Sequence, residues 1–115
     1  GLDAADAPEA IAAMLVEAGR RGHAPYSGCA AACVLVLADG AMAAGTVLES
    51  VAFNPTIGPV QDALVGLAAV GRSGDEVVAA WLAVGRGAAV AHEHVARDLL
   101  AAAAPGAAVH IRYWT

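Results

Sequence analysis

His92, Glu93 and His94 stand side by side in AHEHVARD. Imidazoles beside a carboxylate are raw material for a metal centre or for general acid–base work. Spacing weakens that reading on a helix, because positions i and i+2 point to different faces. If the helix begins after them, both imidazoles could ligate from a turn. Glu93 near a helix start is also explained by the positive end of the helix dipole. His23 precedes a loop and His110 falls on a strand, and neither has an Asp, Cys or Ser at a spacing that defines a triad. GRSGDE, residues 71–76, reads as a turn and not as a phosphate loop, and Asp62 sits in a helical first turn.

The cysteines are Cys29 and Cys33, in CAAACVLVLA. That run reads as a strand, on which positions four apart share a face at about 13 Å. A shared zinc needs sulfurs within about 4 Å of each other, and a disulfide needs Cα atoms within about 7 Å. The two cysteines therefore neither pair nor share a metal, and they read as small buried apolar residues.

The 115 residues fit one domain spanning 1–115. Hydrophobic residues reach 59%, much of it alanine, which suits close packing of helix on sheet. The excess fits either self-association or a coding bias toward Ala, Gly, Val and Arg. Net charge is −5 and Arg20-Arg21 is the densest basic pair, so a nucleic-acid partner is not expected. No uninterrupted apolar stretch is long enough to span a membrane, and no signal peptide is recognisable, so the expected location is cytoplasmic.

The elements that must position these residues follow from period and punctuation. DAPEAIAAMLVEAGRRG reads as a helix, with Asp6 as N-cap, an apolar face at Ile11, Leu15 and Ala18, and a stop at Gly22. CAAACVLVLADGAMAAGTVL reads as a hairpin turning at Asp39-Gly40. PVQDALVGLAAVG reads as a helix with Pro59 first and Gly71 near its end. DEVVAAWLAVG reads as a fully buried strand, AVAHEHVARDLLAAAAPG as a helix, and AAVHIRYWT as an edge or half-exposed strand. The order α-β-β-α-β-α-β predicts an α/β fold, a three-layer α/β/α sandwich around a mixed sheet.

At HAPYSG and AFNPTIGPVQDAL the chain resembles the cytidine deaminase family, from about Pro8 to Tyr113. The family's APYS loop matches Ala24–Ser27, and its Gly-x-Asn-x-Glu-Asn segment falls on residues 45–50, followed by Phe53. The likeness is greatest to the non-catalytic second half of double-length bacterial cytidine deaminases. In active members a zinc-bound water attacks C4 of cytosine and a glutamate shuttles the proton.

The resemblance puts the family's zinc-ligand positions on Gly58, Glu93 and Ala96, and its catalytic glutamate on Val60. Pro59 and a Gly58 free to take an unusual φ suggest a helix start rebuilt without metal. The ribose-contacting asparagine falls on Val47, while its partner is kept as Glu49, with Phe53 lining the pocket. Pro25, Tyr26 and Ser27 match a loop that lies at subunit contacts. These correspondences imply a catalytically degenerate structural or regulatory subunit with no cofactor, zinc being neither bound nor needed. Its expected partner is a second copy, as dimer or tetramer, or an active deaminase paralogue. A nucleoside-binding module, or an active hydrolase with an altered zinc site drawing on His92, Glu93 and His94, are the alternatives.

Overall fold

Asp39 and Gly40 fold the chain back on itself. Gly40 takes φ +90°, Leu37 donates to the Ala41 carbonyl at 2.8 Å, and Asp39 Oδ1 accepts from the Ala41 amide at 3.0 Å. The flanking strands are β2, Ala31–Leu37, and β3, Met42–Thr46. This computed structural model describes residues 2–3, 6–21, 31–46, 48–49, 56–85 and 89–114.

A two-residue β1, Leu2–Asp3, precedes helix α1, Glu9–Arg21. After β3 come β4, Leu48–Glu49, and β5, Thr56–Ile57, which pair with each other, then α2, Pro59–Ala69. A 3₁₀ turn at Gly74–Glu76 leads into β6, Val77–Gly85, followed by α3, Ala89–Ala103, and β7, Ala108–Trp114. The main sheet has the order β1-β7-β6-β2-β3. It is mixed: β6 and β7 run parallel, with α3 as their crossover, and the other pairs are antiparallel.

Strand alternation divides the core between the two faces of the sheet. Cys33, Leu35 and Leu37 of β2 join Ala80 and Leu82 of β6 under α2 and α3, which contribute Val60, Ala63, Leu67, Ala96 and Leu100. On the other face Ala32, Val34, Trp81 and Ala83 meet Ile11, Leu15 and Ala18 of α1. This is the expected α/β/α sandwich. Alanine dominates because it lets helix and sheet backbones approach closely. Among the described residues no helix is long and apolar enough to cross a membrane.

Several local expectations need correction. Asp6 does not cap α1; its carboxylate receives Nε of Arg112 at 2.9 Å and also Nη2 of Arg112, fastening the segment before α1 to β7. That guanidinium also holds the Asp6 carboxyl below its ordinary value and lies over the Trp81 ring, 5.1 Å from its centroid. The strand β6 is not buried throughout. Val36 pairs with Ala79 but Leu37 with Val77, so Val78 is skipped in the ladder, bulges, and is exposed.

Arg72 ties the hairpin turn to the 3₁₀ turn, with Nη2 at 2.9 Å from Asp39 Oδ2 and 2.8 Å from Glu76 Oε1. The Ala41 amide first and Arg72 second hold the Asp39 carboxyl below its ordinary value, and Arg72 first and the Ser73 amide second do so for Glu76. A lowered folded pKa means stabilisation that is present above the unfolded value and lost as pH falls through the folded one. Arg72→Ala is therefore expected to lower the urea midpoint at neutral pH by a small, salt-sensitive amount. The difference from wild type fades as pH drops below the ordinary values of 4.5 for Glu76 and 3.8 for Asp39. A deficit that persists undiminished in acid would show that Arg72 acts through packing instead.

Candidate functional site

The start of α2 is built by short-range chemistry. Gly58 precedes the helix with φ −75° and ψ 162°, and Pro59 follows at a position where no amide partner is required. The unusual φ anticipated for Gly58 is not used, since any residue could adopt this backbone. The Gly58 amide donates to Gln61 Oε1 at 3.1 Å, one half of a capping box. On sequence Asp62 has no role beyond the first turn, yet its Oδ2 accepts the Thr46 amide at 3.0 Å, pinning the end of β3 to the helix. The signal was a lone carboxylate in an otherwise uncharged helix.

Val60 points inward. It is 1% exposed and packs in the apolar cluster with Leu35, Ala63 and Leu67. Ala96 of α3 is buried in the same cluster. The structure thus brings Val60 and Ala96 into one buried apolar layer, with Cys33 of β2. Burial pushes the Cys33 thiol up to about 12, so it is a protonated, inert sulfur. In a Cys29→Ser variant, iodoacetamide at mildly alkaline pH is expected to leave Cys33 unmodified in the folded protein and to alkylate it promptly in urea. Prompt labelling without denaturant would contradict this burial.

The helix α3 begins at Ala89, so His92, Glu93 and His94 are inside it. A turn that would let both imidazoles ligate from ahead of the helix does not form, and the two histidine positions fall on different faces. Glu93 also lies beyond the first turn, where the helix dipole has faded. His94 is exposed, while the side chains of His92 and Glu93 lie outside the described residues. So do Pro25, Tyr26, Ser27, Val47 and Phe53 altogether, and the side chain of Glu49. The backbone of Glu49 pairs with Thr56, two residues before Gly58, which places it beside the start of α2.

These features sit on a fold of known kind. Residues 3–97 match the family described as the cytidine and deoxycytidylate deaminase zinc-binding region, and the chain belongs to that family. It is 43% identical over 90 residues to cytidine deaminase 1 of Arabidopsis thaliana, a match covering 76% of this chain and 30% of that protein. It is 36% identical over 77 residues to the cytidine deaminase of Vibrio parahaemolyticus, covering 67% of this chain and 26% of that one. The matched stretch thus spans less than a third of either relative. The crystal structure of cytidine deaminase from Burkholderia pseudomallei superposes with a TM-score of 0.74 over 91% of this chain and 82% of that chain, at 19% identity, a likeness of fold.

The family match corrects one expectation. The absence of any cofactor does not stand, because the region matched is the family's zinc-binding one. The described side chains at the α2 start do not fit a zinc ion: Gly58, Pro59 and Val60 carry no nitrogen, oxygen or sulfur to donate. Among the described residues no three His, Cys, Asp or Glu gather as a metal group. A three-donor set in this chain would draw at least one donor from outside them.

Proposed function

We propose that residues 1–115 form one catalytically degenerate domain of the deaminase fold, acting as a structural or regulatory subunit. The observation that carries the reading is Val60. It occupies the place that the resemblance gives to the proton-shuttling glutamate, and it is sealed in the core beside Ala63 and Leu67. A general acid–base contributes about 10²–10⁴-fold to rate, and an isopropyl group cannot move a proton. Of the described polar side chains near the helix start, Gln61 is occupied by the Gly58 amide and Asp62 by the Thr46 amide. Gln61 is a neutral amide with no proton to exchange, and Asp62 is anchored to the end of β3 by that bond.

The subunit role is supported by the exposed apolar side chains of Met42, Val65, Val70 and Val78, with a second copy or an active deaminase as the partner. The test is ammonia release from cytidine and deoxycytidine, assayed with and without added zinc. No release above the uncatalysed background is expected, and sustained turnover in either condition would end the proposal.

A second reading, retention of a nucleoside, is favoured by the ladder that sets Glu49 opposite Thr56 at the head of α2. A carboxylate there can accept ribose hydroxyls. Calorimetry with cytidine and uridine decides it, and a flat trace with millimolar nucleoside removes it.

A further inference from the structure

The strand β3 ends the main sheet, and its outer side has no strand neighbour. Leu37 bonds to Ala41, and the same register sets Leu35 opposite Ala43 and Cys33 opposite Gly45. Alternate residues of an antiparallel strand turn both backbone groups to the same side. Ala43 and Gly45 therefore face β2, while Met42, Ala44 and Thr46 turn their N–H and C=O groups outward. Asp62 takes the Thr46 amide, whereas Met42 and Ala44 have no such partner among the described residues. Natural edges are guarded by lysine, proline, a bulge or a covering element. This strand has no charge and no proline, and its ladder with β2 is regular.

The two side-chain rows of β3 open into different hollows. Ala43 packs with the core under α2, and beside it lies a hollow lined by Leu37, Leu67, Val70 and Arg72. Gly66 leaves a gap in the helical wall of that hollow, where a Cβ would meet nothing within 4 Å. Ala44 packs on the α1 side, where the hollow is lined by Ala13, Met14 and Glu17. An antiparallel strand bonded to Met42 and Ala44 would alternate in the same way. Its residue opposite Ala43 enters the first hollow, and the residues before and after it lie on the Glu17 side.

Charge selects the occupant. The strand is neutral, but its surroundings are not. Glu17 borders one hollow, Asp39 precedes the strand, Asp62 sits at its end, and the turn after α2 carries Arg72, Asp75 and Glu76. Arg72 is the cation of this set, and Asp39 and Glu76 both bind it. Glu17 has a contact of its own, and without it four carboxylates still stand against that one guanidinium. Arg20 borders a separate hollow beside Leu2, and the side chain of Arg21 lies outside the described residues. With −5 over the whole chain, the field at this edge repels an acidic strand and draws in a cationic one.

We infer that β3 receives an extended cationic segment of a different protein, alternating apolar with basic residues, as an added antiparallel strand. Its backbone exchanges N–H and C=O with Met42 and Ala44. An aliphatic side chain opposite Ala43 fills the hollow beside Leu67 and Val70, and the basic side chains flanking it answer the surrounding carboxylates. Main-chain bonds then supply affinity, and the alternate pockets supply specificity. The inference goes beyond the reading above and does not rest on it: ammonia release would end that reading and leave this one standing.

The probe is the peptide acetyl-Lys-Val-Lys-Val-Lys-Val-Lys-amide, titrated into the isotope-labelled chain and followed by NMR. Saturable amide shifts centred on β3 are expected, with the Met42 and Ala44 amides gaining hydrogen-exchange protection. Ala44→Pro removes an outward amide without costing a bond to β2, and it is expected to raise the peptide Kd by about tenfold or more. Gly66→Leu puts a good helix former in α2 and fills the hollow, for a similar loss, which keeps the test alive should Ala44→Pro not fold. Val78→Ala, on the exposed bulge of β6, leaves the Kd unchanged. Thermal melts followed by circular dichroism establish that each variant folds. Equal binding of the block peptide Lys-Lys-Lys-Lys-Val-Val-Val, or of the alternating peptide with Glu for Lys, overturns the proposal. So does a titration that shows no saturation at millimolar peptide. An edge already closed by a second copy overturns it too, and would show as Ala44 protection that grows with protein concentration when no peptide is present.

Discussion

A chain carrying Val60→Glu is expected to lose on the order of 4 kcal/mol of stability and still release no ammonia from cytidine. Placing at position 60 the glutamate that the resemblance assigns there supplies a residue type and not its setting. Val60 lies on the inner face of α2 in a buried cluster of apolar side chains that includes Leu35 and Leu67. An unpaired carboxylate there either stays charged in an apolar layer or takes up a proton. Both are costly against a total stability of about 5–15 kcal/mol. Burial raises the folded-state pKa of the new carboxyl, which fixes the sign of the pH dependence. The deficit is largest at alkaline pH and shrinks in mild acid, where the group folds neutral. Val60→Ala gives the comparison, with a cost of about 2 kcal/mol from lost burial and a small cavity and no added pH dependence. Urea titrations of both variants at several pH values separate the two outcomes. A stable Val60→Glu protein would mean that the side chain reaches water, and ammonia release by it would show that the rest of the catalytic apparatus is intact.

The fold was legible wherever one residue type forces one geometry. Pro59 could only begin a helix, and Asp39-Gly40 could only turn a hairpin, because the positive φ at Gly40 excludes most other residues. The apolar stripe of α1 follows directly from period, whereas β2, apolar at every position, was legible from the length of its run and the turn that ends it. The two-residue strands β1, β4 and β5 were not legible, since a period cannot be read from so few residues. The bulge at Val78 was hidden for another reason. VVAAWLAV is apolar at every position, so composition carries no mark of which residue the ladder skips.

The polar anchors escaped for a third reason: their partners are remote in sequence. Asp6 meets Arg112, Asp39 meets Arg72, and Asp62 meets Thr46 only once the sheet has formed. Of the candidate site, likeness to a family located Val60 and Ala96, but only the packing shows that both are core residues of one layer. The zinc expectation was reasoned from three missing side chains, and membership of a zinc-binding family overturns it.

Gly45→Ala is expected to destabilise the protein by on the order of 3 kcal/mol, although it adds a single methyl to a strand. A Cβ at Gly45 would lie 2.2 Å from the Pro59 carbonyl oxygen and 2.4 Å from the Ala63 amide nitrogen. Both are backbone atoms of α2, so no rotamer change can make room. Either α2 lifts from β3 or the strand bends away. Alanine gains at most about 1 kcal/mol over glycine from backbone entropy, so the clash outweighs it. Lifting α2 also pulls Asp62 from the Thr46 amide, because that bond spans the same contact. The Thr46 amide should then lose hydrogen-exchange protection by more than the global loss of stability accounts for. Gly66→Ala, in the same helix with nothing within 4 Å of the new methyl, reverses the sign. It is expected to stabilise by about 0.5–1 kcal/mol through helix propensity alone. If both substitutions shift the urea midpoint the same way, the close approach of β3 to α2 is not what holds the head of this helix in place.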